Sequence, residues 1–122
     1  MRASMMLGAV GLAFGLAACG HANAAQSLAD QTTKAVFNTD LTATQKNFDD
    51  DLKKQVTREQ IGIISDKMHA LGTYKGLKPA ASDQDKGRYA FEADFDNGVM
   101  AVEVRLDPDG KIGAYRVADA QT

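Results

Sequence analysis

The chain has 122 residues, with 14 Lys and Arg against 16 Asp and Glu, a formal net charge of −2, one cysteine, two prolines and no tryptophan. A slightly acidic balance argues against nucleic acid as a partner, because such proteins carry a basic stripe, and one cysteine leaves no internal disulfide to staple the fold. With no internal repeat and no low-complexity tract, this length bounds the chain to one small domain with one modest core.

The N-terminus carries an address. Arg2 precedes an apolar run from Met5 to Ala18, and small residues close it. Positive, apolar, then small is the order of a secretory signal peptide, and the run is shorter than the ~20 residues of a transmembrane helix. Its end, Leu16-Ala17-Ala18-Cys19, resembles a bacterial lipobox. The resemblance implies diacylglycerol on the Cys19 thiol and cleavage before it, with small residues where the peptidase grips the backbone. It also implies a firm membrane anchor, since each buried CH₂ of an acyl chain adds ~0.8 kcal/mol. Gly20 after the cysteine, rather than Asp, implies the periplasmic face of the outer membrane in a Gram-negative cell. A competing site exists at Ala22-Asn23-Ala24. Its small-x-small pattern suits ordinary signal peptidase, and a cut after Ala24 releases a soluble periplasmic or secreted protein without Cys19. A free thiol in an oxidising compartment is a liability, which favours lipidation. Removing the signal peptide, residues 1–18, leaves 104 of the 122 residues and every charge except Arg2. Residues 19–26 are small and polar and read as a flexible tether, leaving the domain over 27–119.

The first half of that domain has helical periodicity. Leu28, Thr32, Ala35 and Val36 recur on one stripe that runs out at Asn38, a residue that tolerates a C-terminal cap. A second helix is expected from Asp40, with Leu41, Gln45, Phe48, Leu52 and Val56 on one face. Thr57-Arg58-Glu59-Gln60 is a capping box, in which Thr57 and Gln60 satisfy each other's orphan amides. The third helix it opens has Ile61, Ile64, Met68 and Leu71 at spacings of 3, 4 and 3 and stops at Gly72. Three amphipathic helices need a common surface to cover.

From Thr73 the pattern turns to strands. Thr73–Leu77 is expected as a strand ending before Pro79, followed by a polar loop over Ala80–Lys86. Asn97-Gly98 is a strong signal for a type I′ hairpin turn. Such a turn pairs Phe95 with Met100, Ala93 with Val102, Phe91 with Val104 and Tyr89 with Leu106, all apolar or aromatic. A slip of one residue would mix charges into that face. Asp107-Pro108-Asp109-Gly110 suits a type I turn with a glycine bulge. A three-residue loop there places Ile112 and Ala114 on the apolar face, with Arg116 at its end. A four-residue loop places Tyr115 and Val117 there instead, and the shorter loop is preferred.

The expected fold is therefore α+β, with about three N-terminal helices packed on one face of a curved four-stranded antiparallel sheet. This order resembles the nuclear transport factor 2-like (cystatin-like) superfamily. It is similar in particular to an uncharacterised bacterial domain of that type, found alone behind signal peptides or ahead of α/β-hydrolase domains. Phe48, the Leu52…Val56-Thr57-Arg58-Glu59-Gln60 junction, Leu71-Gly72-Thr73-Tyr74 and Asp109-Gly110-Lys111-Ile112-Gly113 carry the resemblance, which spans Asp30 to Val117. It implies a sheet wrapped around helices with a concave pocket, and it implies no reaction.

Chemistry is sparse in the sequence. Enzymes of the wider superfamily use an acid–base pair on the pocket floor, and here the apolar face of the central hairpin offers Tyr89 beside Phe91. Tyr89 or Tyr74 with a nearby carboxylate is the alternative, minimal-enzyme reading. A tyrosine in that place is more commonly a core residue with its hydroxyl at the rim. His21 lies in the tether and His69 on the third helix, so no metal site is expected and no cofactor is implied. The run Asp49-Asp50-Asp51 cannot converge on one ion from consecutive helix positions, and Asp107-Pro108-Asp109-Gly110 lacks the ligands that a calcium loop spreads over about 12 residues. On the outer face the expected register sets Glu92 against Glu103, with Tyr115 beside Glu103, Arg105 diagonal to Glu92 and Arg88 facing Asp107. That polar patch is a candidate for receiving a cation or a basic segment, and a solvated face of mutually screening charges is the plainer reading. The function expected is a non-enzymatic, lipid-anchored cell-envelope module that binds a protein partner or a small apolar ligand in its concave pocket, or pairs as a homodimer through the open sheet. A pocket carboxylate with a raised pKa would favour an enzyme instead.

Overall fold

A computed structural model describes residues 23–119. The signal peptide, Cys19 and His21 lie outside the described residues. The protein is an α+β fold in which four helices precede a four-stranded antiparallel meander in the order β1-β2-β3-β4. The helices are α1 (23–37), α2 (Leu41–Gln45), α3 (Asp50–Gln55) and α4 (Arg58–Ala70). The strands are β1 (Tyr74–Asp83), β2 (Arg88–Phe95), β3 (Gly98–Leu106) and β4 (Ile112–Asp119). No helix among the described residues is long and apolar enough to cross a membrane.

Helix α1 takes in residues 23–26, which the composition had assigned to a tether, and Ala25 there is fully buried. Its inward face is small: Ala25, Ala29, Thr32, Thr33 and Val36 let the backbone approach the sheet closely. It ends in a Schellman pair, with Thr39 N–H donating to Val36 O and Asp40 N–H to Ala35 O, both at 2.9 Å. The left-handed residue of that motif is Thr39 (φ 55°), one position beyond Asn38. The Thr39 and Ser65 hydroxyls lie 3.0 Å apart, and Ser65 Oγ donates to Phe37 O, so tertiary bonds hold a β-branched residue where glycine is usual.

The expected second helix is two. The chain breaks over 46–49, where Phe48 forms a parallel bridge with Ile112 on β4. Asp49 N–H donates to Ile112 O at 2.9 Å and Ile112 N–H to Asn47 O at 2.8 Å. Two backbone bonds to an edge strand, plus burial of Phe48 at 1% exposure, outweigh the continuous helical stripe. Asp40 and Asp49 then cap the two pieces by accepting from Ala43 and Leu52 N–H. Helix α4 forms from its capping box as expected, with both Thr57–Gln60 bonds made, and ends at Gly72 (φ 107°).

Strand β1 runs through Pro79 to Asp83, beyond the expected end at Leu77. It is an edge strand, where a missing N–H costs little, and bulges at Lys75 and Ala80 absorb the irregularity. The β2–β3 hairpin turns one residue earlier than expected. Phe95 pairs with Gly98 across Asp96-Asn97, and neither of these two central residues has positive φ, so the turn is not type I′. Asn97 N–H donates to Leu71 O at 2.8 Å, and Asp96 Oδ2 accepts from Thr73 N–H at 2.9 Å. Docking the tip onto the end of α4 overrides the local preference of Asn-Gly. A Cβ on Gly72 would lie 2.6 Å from that of Asp96, so this close approach needs a glycine. Every β2–β3 pairing slides by two residues, to Ala93–Met100, Phe91–Val102 and Tyr89–Val104. Two residues preserve the face, and all six of these side chains are buried.

The β3–β4 turn has Gly110 in the left-handed region (φ 89°), with Gly110 N–H donating to Asp107 O at 2.9 Å. Neither expected loop alone describes the strand that follows. Gly113 is an extra, bulged residue, so Leu106 pairs with Ile112 while Val104 pairs with Tyr115 and Val102 with Val117. Ile112, Tyr115 and Val117 therefore all face the helices, and Ala114 moves to the outer face. One core joins α1, α4 and the sheet through Val36, Ile61, Met68, Phe91, Met100 and Val102. A second, smaller cluster packs Phe48 and Leu52 on Ile112.

Candidate functional site

Among the described residues, the centre of the sheet's inner side is apolar and aromatic. Phe91 is 4% exposed and Tyr89 7%, and Met68 and Met100 pack in the same cluster at 1% or less. Tyr74 does meet a carboxylate: its hydroxyl donates to Asp30 Oδ1 at 2.6 Å, tying β1 to α1. Burial and the Asp30 charge push the Tyr74 phenol well above its ordinary range. The pair therefore holds its proton instead of releasing it, and Asp30 is also bonded to Lys34 at 3.1 Å. Tyr115, expected on the outer face, points into the core, with its hydroxyl 2.8 Å from that of Thr33. Burial raises its pKa as well.

The outer face is laid out in cross-strand rows. Asp83, Arg88, Arg105 and Ala114 form the first row, and Ala81, Ala90, Glu103 and Arg116 the second. Lys78, Glu92, Ala101 and Ala118 form the third. Glu92 thus lies between Lys78 and Ala101 and does not face Glu103. Glu103 is opposite Arg116 instead, with a 3.6 Å ion pair between two largely exposed side chains. Arg88 faces Arg105, not Asp107. The two-residue slide of the hairpin causes these changes, and it replaces the expected pair of acids with an opposed pair of arginines.

That basic corner encloses a cleft of about 430 Å³. Arg88, Arg105 and Arg116 line it above a floor of Ala81, Ala90 and Ala114, with the edge of Tyr89 at one wall. Ser82, Asp83 and Glu103 complete its polar lining. Among the described residues, Arg105 pairs with Asp107 at 3.5 Å and Arg116 with Glu103, while Arg88 makes no ion pair. The volume falls in the range of small-molecule sites, ~300–1,000 Å³.

Arg105 also joins a carboxyl pair that the sequence conceals. Asp49, the cap of α3, contacts Asp107 of the β3–β4 turn, 58 positions away in sequence. Their shared hydrogen bond pulls Asp49 below the usual carboxylate range and pushes Asp107 above it. Leu52 N–H adds to the first shift and desolvation to the second. A Cβ on Gly113 would run into the Asp107 carboxylate and the Arg105 guanidinium, so the bulge glycine makes room for this cluster. Asp107 lines a second cleft, of about 570 Å³, with Ala24, Lys86, Pro108 and, shared with the first cleft, Tyr89 and Arg105. Among the described residues no group of three or more His, Cys, Asp or Glu could hold a metal. The signal for the acid pair lay in capping logic: Asp49 followed by two further acids is a helix start. Its partnership with Asp107 depends on the break at Phe48 and was not visible in the sequence.

Comparison with protein-family models, with curated proteins and with solved structures found no match to this chain.

Proposed function

We propose that the chain is a non-enzymatic, lipid-anchored module of the bacterial cell envelope that binds through the outer face of its sheet. The single observation that carries the choice of surface is the packed centre of the inner face: Met68, Phe91, Met100 and Val102 are each 4% exposed or less where the nuclear transport factor 2-like resemblance implies a concave pocket, and the space left on that side is a cleft of about 440 Å³ at the β4 edge, lined mainly by apolar side chains such as Phe48, Ile64, Tyr115 and Val117. We read the chain as a variant of that curved-sheet fold whose central pocket is occupied by its own side chains. The anchor rests on Leu16-Ala17-Ala18-Cys19. Intact mass and cell fractionation of the protein expressed from its full-length gene in a Gram-negative host test it, beside Cys19→Ala. A lipidated Cys19 at the N-terminus, in the membrane fraction and lost in the variant, is the expected result. A soluble product beginning at Ala25 would contradict it and return a diffusible protein.

A second reading keeps an enzyme in play on one observation, the raised pKa of Asp107 at the edge of a cleft. Against it, Asp49 is committed to capping α3 at 2.8 Å and Asp107 to Arg105. Both carboxylates have structural work that accounts for their positions.

A further inference from the structure

The outer face contains a like-charge opposition that its acids relieve only in part. Arg88 and Arg105 stand directly opposite each other on β2 and β3, and like charges at opposed positions destabilise a sheet. Asp107 partly answers Arg105, but among the described residues nothing pairs with Arg88. Asp83, its neighbour on β1, forms no ion pair with it. Arg116 stands one row further on, so three arginines, against the two acids Asp83 and Glu103, line a single cleft of about 430 Å³. Guanidinium is the side chain best suited to bidentate bonds with phosphate oxygens, and its charge does not titrate away. The floor beneath is methyl groups of alanine, which accept a compact apolar body and offer it no hydrogen bond.

We propose that this cleft binds an anionic phosphate ester, with the phosphate between Arg88 and Arg105, Arg116 at its far side and the ester stem over Ala90 and Ala114. The inference rests on the reading of the outer face as the binding surface and supplies the chemical class of its ligand. The ester has two sources. One is a free small phosphate ester of the periplasm, and the other is the headgroup of an anionic phospholipid. The second is within reach of an anchored protein. Cys19 precedes Asn23 by four positions, at most ~14 Å of extended chain. Ala24 lines the cleft that shares Tyr89 and Arg105 with this one.

The test uses the full chain in non-ionic detergent. Thermal unfolding is followed with glycerol 3-phosphate, and separately with sodium chloride at matched ionic strength, because simple screening also relieves opposed arginines. Vesicles of phosphatidylcholine, with and without phosphatidylglycerol, form the second arm, read by co-sedimentation of the Cys19→Ala chain so that the anchor does not contribute. The variant is Arg88→Gln. The chain with Arg88 intact should gain several degrees with glycerol 3-phosphate beyond the salt control or, in the Cys19→Ala background, sediment only with the phosphatidylglycerol vesicles, and the arm that responds identifies the source. Arg88→Gln should weaken that response about tenfold or more while leaving the ligand-free protein at least as stable as wild type. A residue with a merely structural role would lower stability instead. No response beyond salt in either arm, or a full response in Arg88→Gln, would overturn the proposal. Fractionation of the lipidated protein reads Cys19 alone, so failure of the ligand and failure of the anchor are separate results.

Discussion

On the inner face of the sheet, Phe91, Ala93, Met100 and Val102 are each 4% exposed or less and touch the helices, whereas on the outer face Ala90, Ala101 and Ala114 sit among Arg88, Glu92, Glu103 and Arg105. The two faces belong to the same strands and alternate residue by residue, so backbone geometry does not distinguish them. Their difference lies in what limits each. The inner face is limited by volume, because α1 and α4 press against it and every methylene counts. The outer face is limited by charge, with small side chains that leave open space and, among the described residues, an Arg88 that no ion pair answers. A face held by packing tolerates little change. An open face with unrelieved charge has affinity in reserve.

The largest expected effect breaks the packed face. Phe91→Ala should cost about 3–5 kcal/mol in denaturant unfolding, a large share of what a small domain possesses. A loss below about 1 kcal/mol would mean that the helices do not cover the sheet as described. Gly113→Ala comes next, at about 1 kcal/mol, since its methyl group meets only the ends of two flexible, part-exposed side chains, Asp107 and Arg105, which can move aside. Because it separates Arg105 from Asp107, it should also sharpen the salt dependence of stability. Tyr115→Phe should cost about 1 kcal/mol by removing the partner of the buried Thr33 hydroxyl, whereas a solvent-facing Tyr115 would predict no change.

The acid pair makes a prediction in pH. Asp107 is raised in the folded protein, so its contribution is fully present below the ordinary carboxylate pKa of ~3.9 and is lost as pH rises through its higher folded value. Asp49 is lowered, so its contribution is present above ~3.9 and is lost as pH falls through its depressed value. Asp107→Asn keeps an N–H donor for Asp49 without the second charge. Its stability relative to wild type should therefore improve as pH rises from the acid side toward neutrality. A difference that does not vary with pH would mean that Asp49 and Asp107 do not shift each other's titration. The smallest effect is expected on the outer face away from the arginines, where Ala101→Ser should stay within about 0.5 kcal/mol.

What could be read from the sequence follows the same division. The capping box at Thr57–Gln60, the stop at Gly72 and the inward alternation of Tyr89, Phe91, Ala93 and Phe95 are local patterns, and local patterns survive folding. The α+β order and the four-stranded sheet came from them. The errors share one physical origin, contacts between segments distant in sequence. Phe48 leaves its helix to bridge Ile112, and Asn97 gives its N–H to Leu71. Ile112 and Tyr115 reach the same face only because Gly113 bulges. The site suffered more than the fold, because an even slip of the hairpin preserves which residues face inward while changing every outer neighbour. Glu92 and Glu103 thereby lost their expected opposition, and Arg88 and Arg105 acquired one.

The measurement that tests this account most directly is the melting temperature of ligand-free Arg88→Gln against wild type, at low and at high salt. The account predicts that the variant melts about 1–4 °C higher at low salt, from relief of an opposed like-charge pair, and that the difference shrinks as salt screens it. A variant that melts lower than wild type at low salt would contradict the claim that the outer face carries unrelieved charge, and with it the reason for placing the binding surface there.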